Sequence, residues 1–122
     1  ILIHVTGHPH TAALIRRARR VADYLQADCL GVAVRQGGSR EGDANLEKHL
    51  SFARNQHITV EVLHAGNVAQ AVVDFARTKN VTQIYISCPD QQPRTSLWNR
   101  SIPQQIVRLA RDKRVVIVSN RV

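Results

Sequence analysis

Short apolar runs and longer amphipathic stretches alternate along the whole chain. The short runs are rich in β-branched residues, which favours strands, whereas the longer stretches place apolar residues three or four positions apart, which favours helices. The pattern predicts five strands, at residues 1–6, 29–35, 58–63, 83–87 and 115–119. It predicts four helices between them, at residues 11–26, 43–55, 67–79 and 102–111.

This alternation predicts an α/β fold with a doubly wound, mostly parallel five-stranded sheet. The strands read as apolar runs of the kind that are buried on both faces. With 122 residues, the chain is expected to form a single domain over residues 1–122. Ligands of such sheets bind beyond the carboxyl ends of the strands, where the strand order reverses. The loops at that edge are residues 6–11, 35–39, 64–67 and 87–101.

Two helix starts carry cap signals. Asn67 is a good N-cap, and Gln70 stands three residues later as its capping-box partner. Ser101 and Gln104 repeat that spacing, with Pro103 in the first turn. The last helix is expected to bury Ile102, Ile106, Leu109 and Ala110.

The chain has a net charge of +8, and its densest cluster of cations is Arg16, Arg17, Arg19 and Arg20 on one predicted helix. A solvated helix face explains these arginines without a ligand. The opposite face of that helix is expected to pack into the core through its apolar residues, Leu14, Ala18, Val21 and Leu25. The basic excess still favours acidic partners, namely another protein, anionic lipid headgroups or a phosphate-bearing ligand. No specific nucleic-acid contact is predicted.

Cysteine usage and hydropathy favour a cytoplasmic protein. Cys29 starts the second predicted strand and Cys88 comes at the end of the fourth, and neither has a C-x-x-C partner, so two reduced, partly buried thiols are expected. No apolar stretch approaches the roughly 20 residues of a membrane span, and no signal peptide is recognisable. Because Ile1 is not Met and stands inside a strand-like run, the chain is expected to be a domain excised from a longer protein. Membrane attachment would then come only through the parent.

Catalytic and metal signatures are missing from the sequence. No Ser/His/Asp order, G-x-S-x-G elbow, P-loop or pair of carboxylates occurs, so no catalytic residue and no enzyme activity are predicted. His8 and His10 are two residues apart, and His64 could approach them from a neighbouring strand end, but no metal site is predicted from this spacing. His4, inside a predicted strand, is expected to be a core or sheet residue whose polar atoms are satisfied.

The loop of residues 88–100 contains no glycine, although it follows a strand where phosphates usually bind. Its Trp98 is either a stacking platform or interface anchor, or a residue that folds back onto the sheet edge. Arg94, Arg100, Ser101 and the following helix N-terminus either hold a phosphate, or Ser101 caps its helix while both arginines are solvated. Both pairs of alternatives stay open.

The order of elements, the long loop after the fourth strand and the Ser-capped helix make the chain resemble the universal stress protein superfamily. Nucleotide-binding members carry three glycines followed by Ser or Thr in this loop, and in this sequence the glycine positions hold Ser87, Asp90 and Arg100, with Ser101 matching the hydroxyl residue. Such members also place an Asp after the first strand, where this chain has Thr6. The resemblance therefore implies that most of the residues that usually bind ATP in this family are absent.

A closer resemblance, to the stress-protein-like domain in the cytoplasmic sensor region of KdpD-type histidine kinases, comes from three segments. These are HVTGHPHTAALIRRARRVADYLQA, GNVAQAVVDFARTKNVTQIYIS and residues 89–101. The resemblance implies a non-catalytic sensory domain of a two-component system that governs potassium uptake. It implies contact with other domains of the parent kinase and binding of regulatory proteins or, in some members, cyclic di-AMP.

The leading hypothesis is thus a regulatory domain without a cofactor of its own. One alternative is a nucleotide-binding module for ATP or cyclic di-AMP. Another is a free-standing stress protein that forms a homodimer through residues 115–118. The candidate ligand-binding residues are Thr6, Gly7, His8, Arg94, Trp98, Arg100 and Ser101.

Overall fold

A computed structural model describes residues 1–36, 43–87 and 102–118 of the chain. The described strands are β1 (Leu2–His4), β2 (Leu30–Arg35), β3 (Thr59–His64), β4 (Gln83–Ser87) and β5 (Arg114–Val118). The described helices are α1 (Thr11–Leu25), α2 (Asp43–Asn55), α3 (Val68–Thr78) and α4 (Ile102–Leu109). The predicted bounds of β4 and α2 are confirmed, and the other elements were predicted with small errors at their ends.

The five strands form one parallel sheet in the order β3-β2-β1-β4-β5. The predicted fold class, a doubly wound parallel α/β sheet, is therefore confirmed. Strand β1 is central, and the chain moves outward from it in one direction through β2 and β3 and in the other through β4 and β5. The strand order therefore reverses between β1 and β4.

The sheet separates two apolar layers. On one face, Ile3 of β1 packs with buried residues of α1 and α2, among them Leu14 and Leu50. On the other face, Leu2 packs with residues of α3 and α4, among them Val72 and Ile106. Each of these side chains is almost completely buried, and burial of one such side chain stabilises the fold by about 1.5–3 kcal/mol. The central strand is thus anchored from both sides.

The outer strands are less buried than the sequence pattern indicated. In β3, Thr59, Glu61 and His64 are exposed, and in β5 Ile117 is 46% exposed. The prediction that all strands are buried on both faces is wrong for these two strands, because each lies at an edge of the sheet. Two residues predicted to be buried are also exposed, Leu25 at the end of α1 and Ile102 at the start of α4.

Gly31 permits a close approach within β2. A Cβ at this position would lie 2.7 Å from Cγ1 of Val60 and 3.3 Å from Cγ2 of Val5. Real carbon atoms do not approach to the first of these distances, so a larger residue would push the neighbouring valines apart. Glycine at this point therefore leaves room for Val60 of β3 and for Val5, which directly follows β1.

The N-terminal edge of the sheet carries one backbone motif three times. After α1, α2 and α3 the chain reverses through a residue with positive φ, at Gln26 (54°), His57 (62°) and Asn80 (56°). In each case the N–H of the left-handed residue donates to the carbonyl three residues back, and the next N–H donates to the carbonyl five residues back. These are Schellman motifs. Each pairs an alanine with an apolar residue five positions later, namely Ala22 with Ala27, Ala53 with Ile58 and Ala76 with Val81.

One of the two hydrogen bonds predicted for the capping box of α3 is confirmed. Oδ1 of Asn67 accepts a hydrogen bond of 3.1 Å from the backbone N–H of Gln70. The reciprocal half of the capping box is wrong, because the side chain of Gln70 instead donates to Asp74 over 2.9 Å. The proposed cap at Ser101 lies outside the described residues.

Candidate ligand-binding site

The strand reversal between β1 and β4 defines a switch-point crevice at the carboxyl edge of the sheet. We use this name for the space beyond the carboxyl ends of β1 and β4, next to the turn of residues 6–11 that follows β1. Of the predicted site residues, Thr6, Gly7, His8 and Ser87 are described and stand at the ends of these two strands. The others, Asp90, Arg94, Trp98, Arg100 and Ser101, lie outside the described residues.

The side chain of Thr6 holds the β1 turn together. Its Oγ1 lies 2.9 Å from Oγ1 of Thr11 and accepts a bond of 3.2 Å from the N–H of His8. Thr11 is fully buried at the start of α1, and its N–H donates to the carbonyl of His8 over 3.0 Å. The hydroxyl at the position where the resemblance places an Asp is thus engaged in local structure.

His49 fixes the same turn from a distance. Its Nδ1 lies 2.8 Å from the carbonyl oxygen of Thr6, 43 residues away in sequence. A carbonyl only accepts, so Nδ1 carries the proton. Sequence analysis missed this residue, and its one signal was its place in α2 directly before the core residue Leu50. The β1 turn is therefore attached to both helices on that face, to α1 through Thr11 and to α2 through His49.

His8 and His10 are half-buried and lie side by side in the turn. Their ring centroids are 4.9 Å apart, and the N–H of His10 donates to Nδ1 of His8 over 3.3 Å. Nδ1 of His8 is therefore an acceptor, which corresponds to a neutral ring with the proton on Nε2. Within the described ranges, no group of three or more His, Cys, Asp or Glu side chains could hold a metal ion.

The carboxyl ends of β2 and β3 are tied together beside this turn. The N–H of Ala65 donates to the carbonyl of Arg35 over 3.1 Å, and Nε2 of Gln36 donates to the carbonyl of Gly66 over 2.8 Å. Arg35 also forms an ion pair of 2.6 Å with Glu47 of α2. Helix α2 is thus connected to this edge at Glu47 as well as at His49.

His4 ends β1 beneath the turn and is buried, as predicted. Removal from water lowers its pKa to about 4, because the charged imidazolium loses its hydration there. The ring is therefore neutral near pH 7. Sequence analysis did not anticipate a titratable group whose charge is this strongly disfavoured.

The opposite edge of the sheet has a cavity that sequence analysis did not predict. It measures about 540 Å³ and is lined by Arg19, Cys29, His57, Thr59, Lys79 and Asn80, among others. Cys29 is a free, buried cysteine, as expected, and burial raises the pKa of its thiol. This cavity lies at the N-terminal edge of the sheet, whereas the switch-point crevice lies at the carboxyl edge.

Sequence comparison relates the chain to part of a larger sensor. Two curated relatives, both named Sensor protein KdpD, come from Mycobacterium tuberculosis strains CDC 1551 / Oshkosh and H37Rv. Each is 30% identical over 108 residues, which is 87% of this chain and 12% of the relative. No family model matches the chain.

Structural comparison identifies the fold. A universal stress protein in complex with cAMP superposes with a TM-score of 0.78 at 15% identity, over 98% of this chain and 95% of the other. A universal stress protein from Archaeoglobus fulgidus in complex with dAMP gives 0.66 at 18% identity, over 95% and 94%. Another from Archaeoglobus fulgidus gives 0.68 at 20% identity, over 95% and 90%.

The chain is therefore a domain of the universal stress protein fold. In sequence it is similar to a segment of the KdpD sensor proteins, so the resemblance inferred from its motifs is confirmed. None of the helices in the described ranges is long and apolar enough to cross a membrane.

Proposed function

We propose that the chain is a non-catalytic sensory domain of a KdpD-type two-component sensor kinase, part of a longer chain whose remaining domains carry the kinase chemistry. The similarity to KdpD over 87% of the chain supports this assignment, as does the 12% of the relatives that it spans. In this proposal residues 1–122 form one cytoplasmic domain, its output concerns potassium uptake, and membrane attachment belongs to the parent.

Its input is a regulatory protein or a small ligand at the switch-point crevice. The candidate contacts are Thr6, Gly7 and His8 on the β1 turn, with Arg94, Trp98, Arg100 and Ser101 after β4. The observation that carries the proposal is the engagement of Thr6. Its hydroxyl bonds Thr11 and His8, and its carbonyl bonds His49, so no free carboxylate is offered to an adenine at this point.

A second candidate function is nucleotide binding, with ATP or cyclic di-AMP as the ligand. The two stress proteins solved with cAMP and dAMP favour it, since their chains share this fold along nearly their whole length. In this version the guanidinium groups of Arg94 and Arg100 and the hydroxyl of Ser101 replace the glycine-rich backbone as phosphate donors. Cations at the start of α4 would act together with the helix N-terminus.

Isothermal titration of the chain with ATP, ADP, AMP, cAMP and cyclic di-AMP separates the two candidates. The leading proposal expects no ATP binding below millimolar concentration. Micromolar ATP binding that disappears in the Arg94→Ala, Arg100→Ala variant would establish the second candidate instead. The same substitutions at Arg108 and Arg111, which are exposed near the end of α4, serve as the charge-matched control.

A gain of binding provides the complementary test. The variant Thr6→Asp, Ser87→Gly, Asp90→Gly, Arg100→Gly restores the residue types of nucleotide-binding stress proteins at all four positions. If the absence of these glycines and of the aspartate prevents ATP binding, this variant should bind ATP at least about tenfold more tightly than the parent chain. Circular dichroism shows whether the variant retains its fold.

The free-standing dimer has its own test. Sedimentation of the chain at several concentrations measures self-association, and Ile117→Lys at an exposed position of β5 is expected to reduce any dimer that forms through residues 115–118. A monomer at all concentrations would remove this alternative.

A further inference from the structure

Helix α1 presents a row of arginines directly away from the core. With 3.6 residues per turn, Arg16, Arg17, Arg20 and Tyr24 fall within an arc of about 100°, opposite the buried residues of the helix. All four are exposed, and Tyr24 is 88% exposed. We call these four residues the α1 arginine face. It extends about 12 Å along the helix.

The charges on this face are not neutralised within the described part of the domain. Asp23 and Glu47 are the acidic residues of α1 and α2 whose side chains are described, and each is already paired, with Arg19 and Arg35 respectively. Arg17 and Arg20 form no ion pair with a described residue. Helix α2 packs beside α1 on the same face of the sheet and adds the exposed cations Lys48 and Arg54.

Arg16 is partly ordered by the domain itself. Its guanidinium carbon lies 5.9 Å from the ring centroid of Phe52 in α2, a cation–π distance. Such a contact restricts the side chain before any partner arrives, which lowers the entropy cost of binding. At the other end of the row, Tyr24 and Leu25 expose apolar surface beside the charges.

We propose that the α1 arginine face is a docking surface for an acidic helix of another protein, with carboxylates at helical spacing that pair with Arg16, Arg17 and Arg20 while Tyr24 packs against its apolar edge. Arginine and tyrosine are the residue types enriched at the centres of protein interfaces, and α1 contains four arginines and no lysine. Planar guanidinium groups bind carboxylates in a two-pronged geometry that lysine cannot provide.

Carboxylates at one end of the α1 arginine face favour a protein over a polyphosphate as its binding partner. Asp28 is exposed at the same end of α1 as Tyr24, next to Asp23, which is paired with Arg19. A phosphate backbone or a charged bilayer presents negative charge everywhere and is repelled there, whereas a protein can place a neutral or basic side chain opposite these carboxylates. One helix face buries little area, so the complex is expected to be weak and reversible.

The test uses a fluorescein-labelled 20-residue helical peptide with glutamates along one face, in a fluorescence anisotropy titration. The variant R16E/R17E/R20E should lose affinity by about tenfold or more. The control R108E/R111E/R114E removes the same charge from exposed positions in and after α4 and should stay within about twofold of the parent chain. R16K/R17K/R20K should weaken binding severalfold although the charge is kept.

Three results would overturn the proposal. One is equal weakening by both charge-reversal variants, which would mean attraction by net charge alone. The expected dissociation constant is about one to tens of micromolar. Absence of peptide binding at about 100 μM protein would therefore also overturn the proposal. The third is tighter, α1-dependent binding of a single-stranded DNA 20-mer or of phosphatidylglycerol vesicles, which would assign the surface to phosphates. Circular dichroism confirms folding, and R16Q/R17Q/R20Q replaces the reversal variant if that variant unfolds.

The docking proposal and the proposed function can be tested separately, because they concern different surfaces. The α1 arginine face lies on the outer side of α1, whereas the switch-point crevice lies at the N-terminal end of that helix. A chain that binds the peptide but no nucleotide, or the reverse, separates the two.

Discussion

The two edges of the sheet are built in different ways. At the N-terminal edge the chain reverses three times through the same Schellman motif, and each motif is made by backbone groups within six residues of one another. At the carboxyl edge, polar side chains connect segments that are far apart in sequence, as in the contact of His49 with Thr6. The N-terminal edge thus repeats one local backbone motif, whereas the carboxyl edge depends on side-chain contacts that exist only in the assembled fold.

The largest expected effect concerns the buried His4 beneath the carboxyl edge. Its folded pKa of about 4 lies below the ordinary value of 6.5, so below pH 6.5 the unfolded chain takes up a proton that the folded chain refuses. Stability should therefore fall as the pH drops from about 7 to 4, by about 3 kcal/mol from this group. Urea unfolding at several pH values measures this loss.

The variant His4→Leu should show a shallower loss over the same pH range, because it has no group to protonate. His64→Gln removes an exposed histidine from the end of β3 and serves as the control. If His4→Leu and the parent chain respond identically to acid, the burial of His4 does not govern the pH dependence.

The second effect tests the hydroxyl pair of the β1 turn. Thr11→Val keeps the shape of a fully buried residue but removes the partner of Thr6 Oγ1, which should cost about 1–2 kcal/mol of unfolding free energy. Thr59→Val makes the same chemical change at an exposed position of the opposite edge and should stay within about 0.5 kcal/mol. Equal losses in the two variants would contradict a special role for the turn.

The third effect tests the long-range contact at the same edge. His49→Ala removes the donor to the Thr6 carbonyl and should lower the unfolding free energy by about 1 kcal/mol. His49→Asn retains an amide N–H near the position of Nδ1 and should recover part of that loss. The idea fails if both variants unfold at the same urea concentration as the parent chain.

The smallest effect, opposite in sign, belongs to the N-terminal edge. Gln26→Gly and His57→Gly each relieve a left-handed conformation of a residue with a Cβ and should raise stability by about 0.5–1 kcal/mol. Asn80→Gly should gain less, because asparagine tolerates this region better. Thermal unfolding of the three variants checks the order, and a destabilised Gln26→Gly would show that its φ is not strained.

Features set by spacing within one element were accessible from the sequence, whereas contacts between distant segments were not. Asn67 was predicted as a cap because its partner Gln70 is three residues away, and α2 was bounded correctly by its apolar spacing. The three Schellman motifs also had a signal, an alanine followed five residues later by an apolar residue. Without glycine at the left-handed position, the usual marker for such a motif was missing.

The long-range contact of the carboxyl edge could not be predicted, because nothing in the sequence near Thr6 specifies His49. Gln70 was expected to complete a capping box, but Asp74 offered its side chain a charged acceptor one turn away. Leu25 and Ile102 were expected to be buried because periodicity indicates a helix face but does not show where the neighbouring layer ends. For the candidate site, sequence therefore located the edge and the turn, and three-dimensional packing decided what holds them.

The contact between His49 and Thr6 also has a consequence for folding. A contact between residues 43 positions apart closes a long loop, and the bond exists only where α2 is packed against the sheet. The β1 turn therefore reaches its final geometry only when α2 has docked. Any molecule that recognises this turn recognises an assembled domain, and its binding free energy adds to the stability of that domain against unfolding.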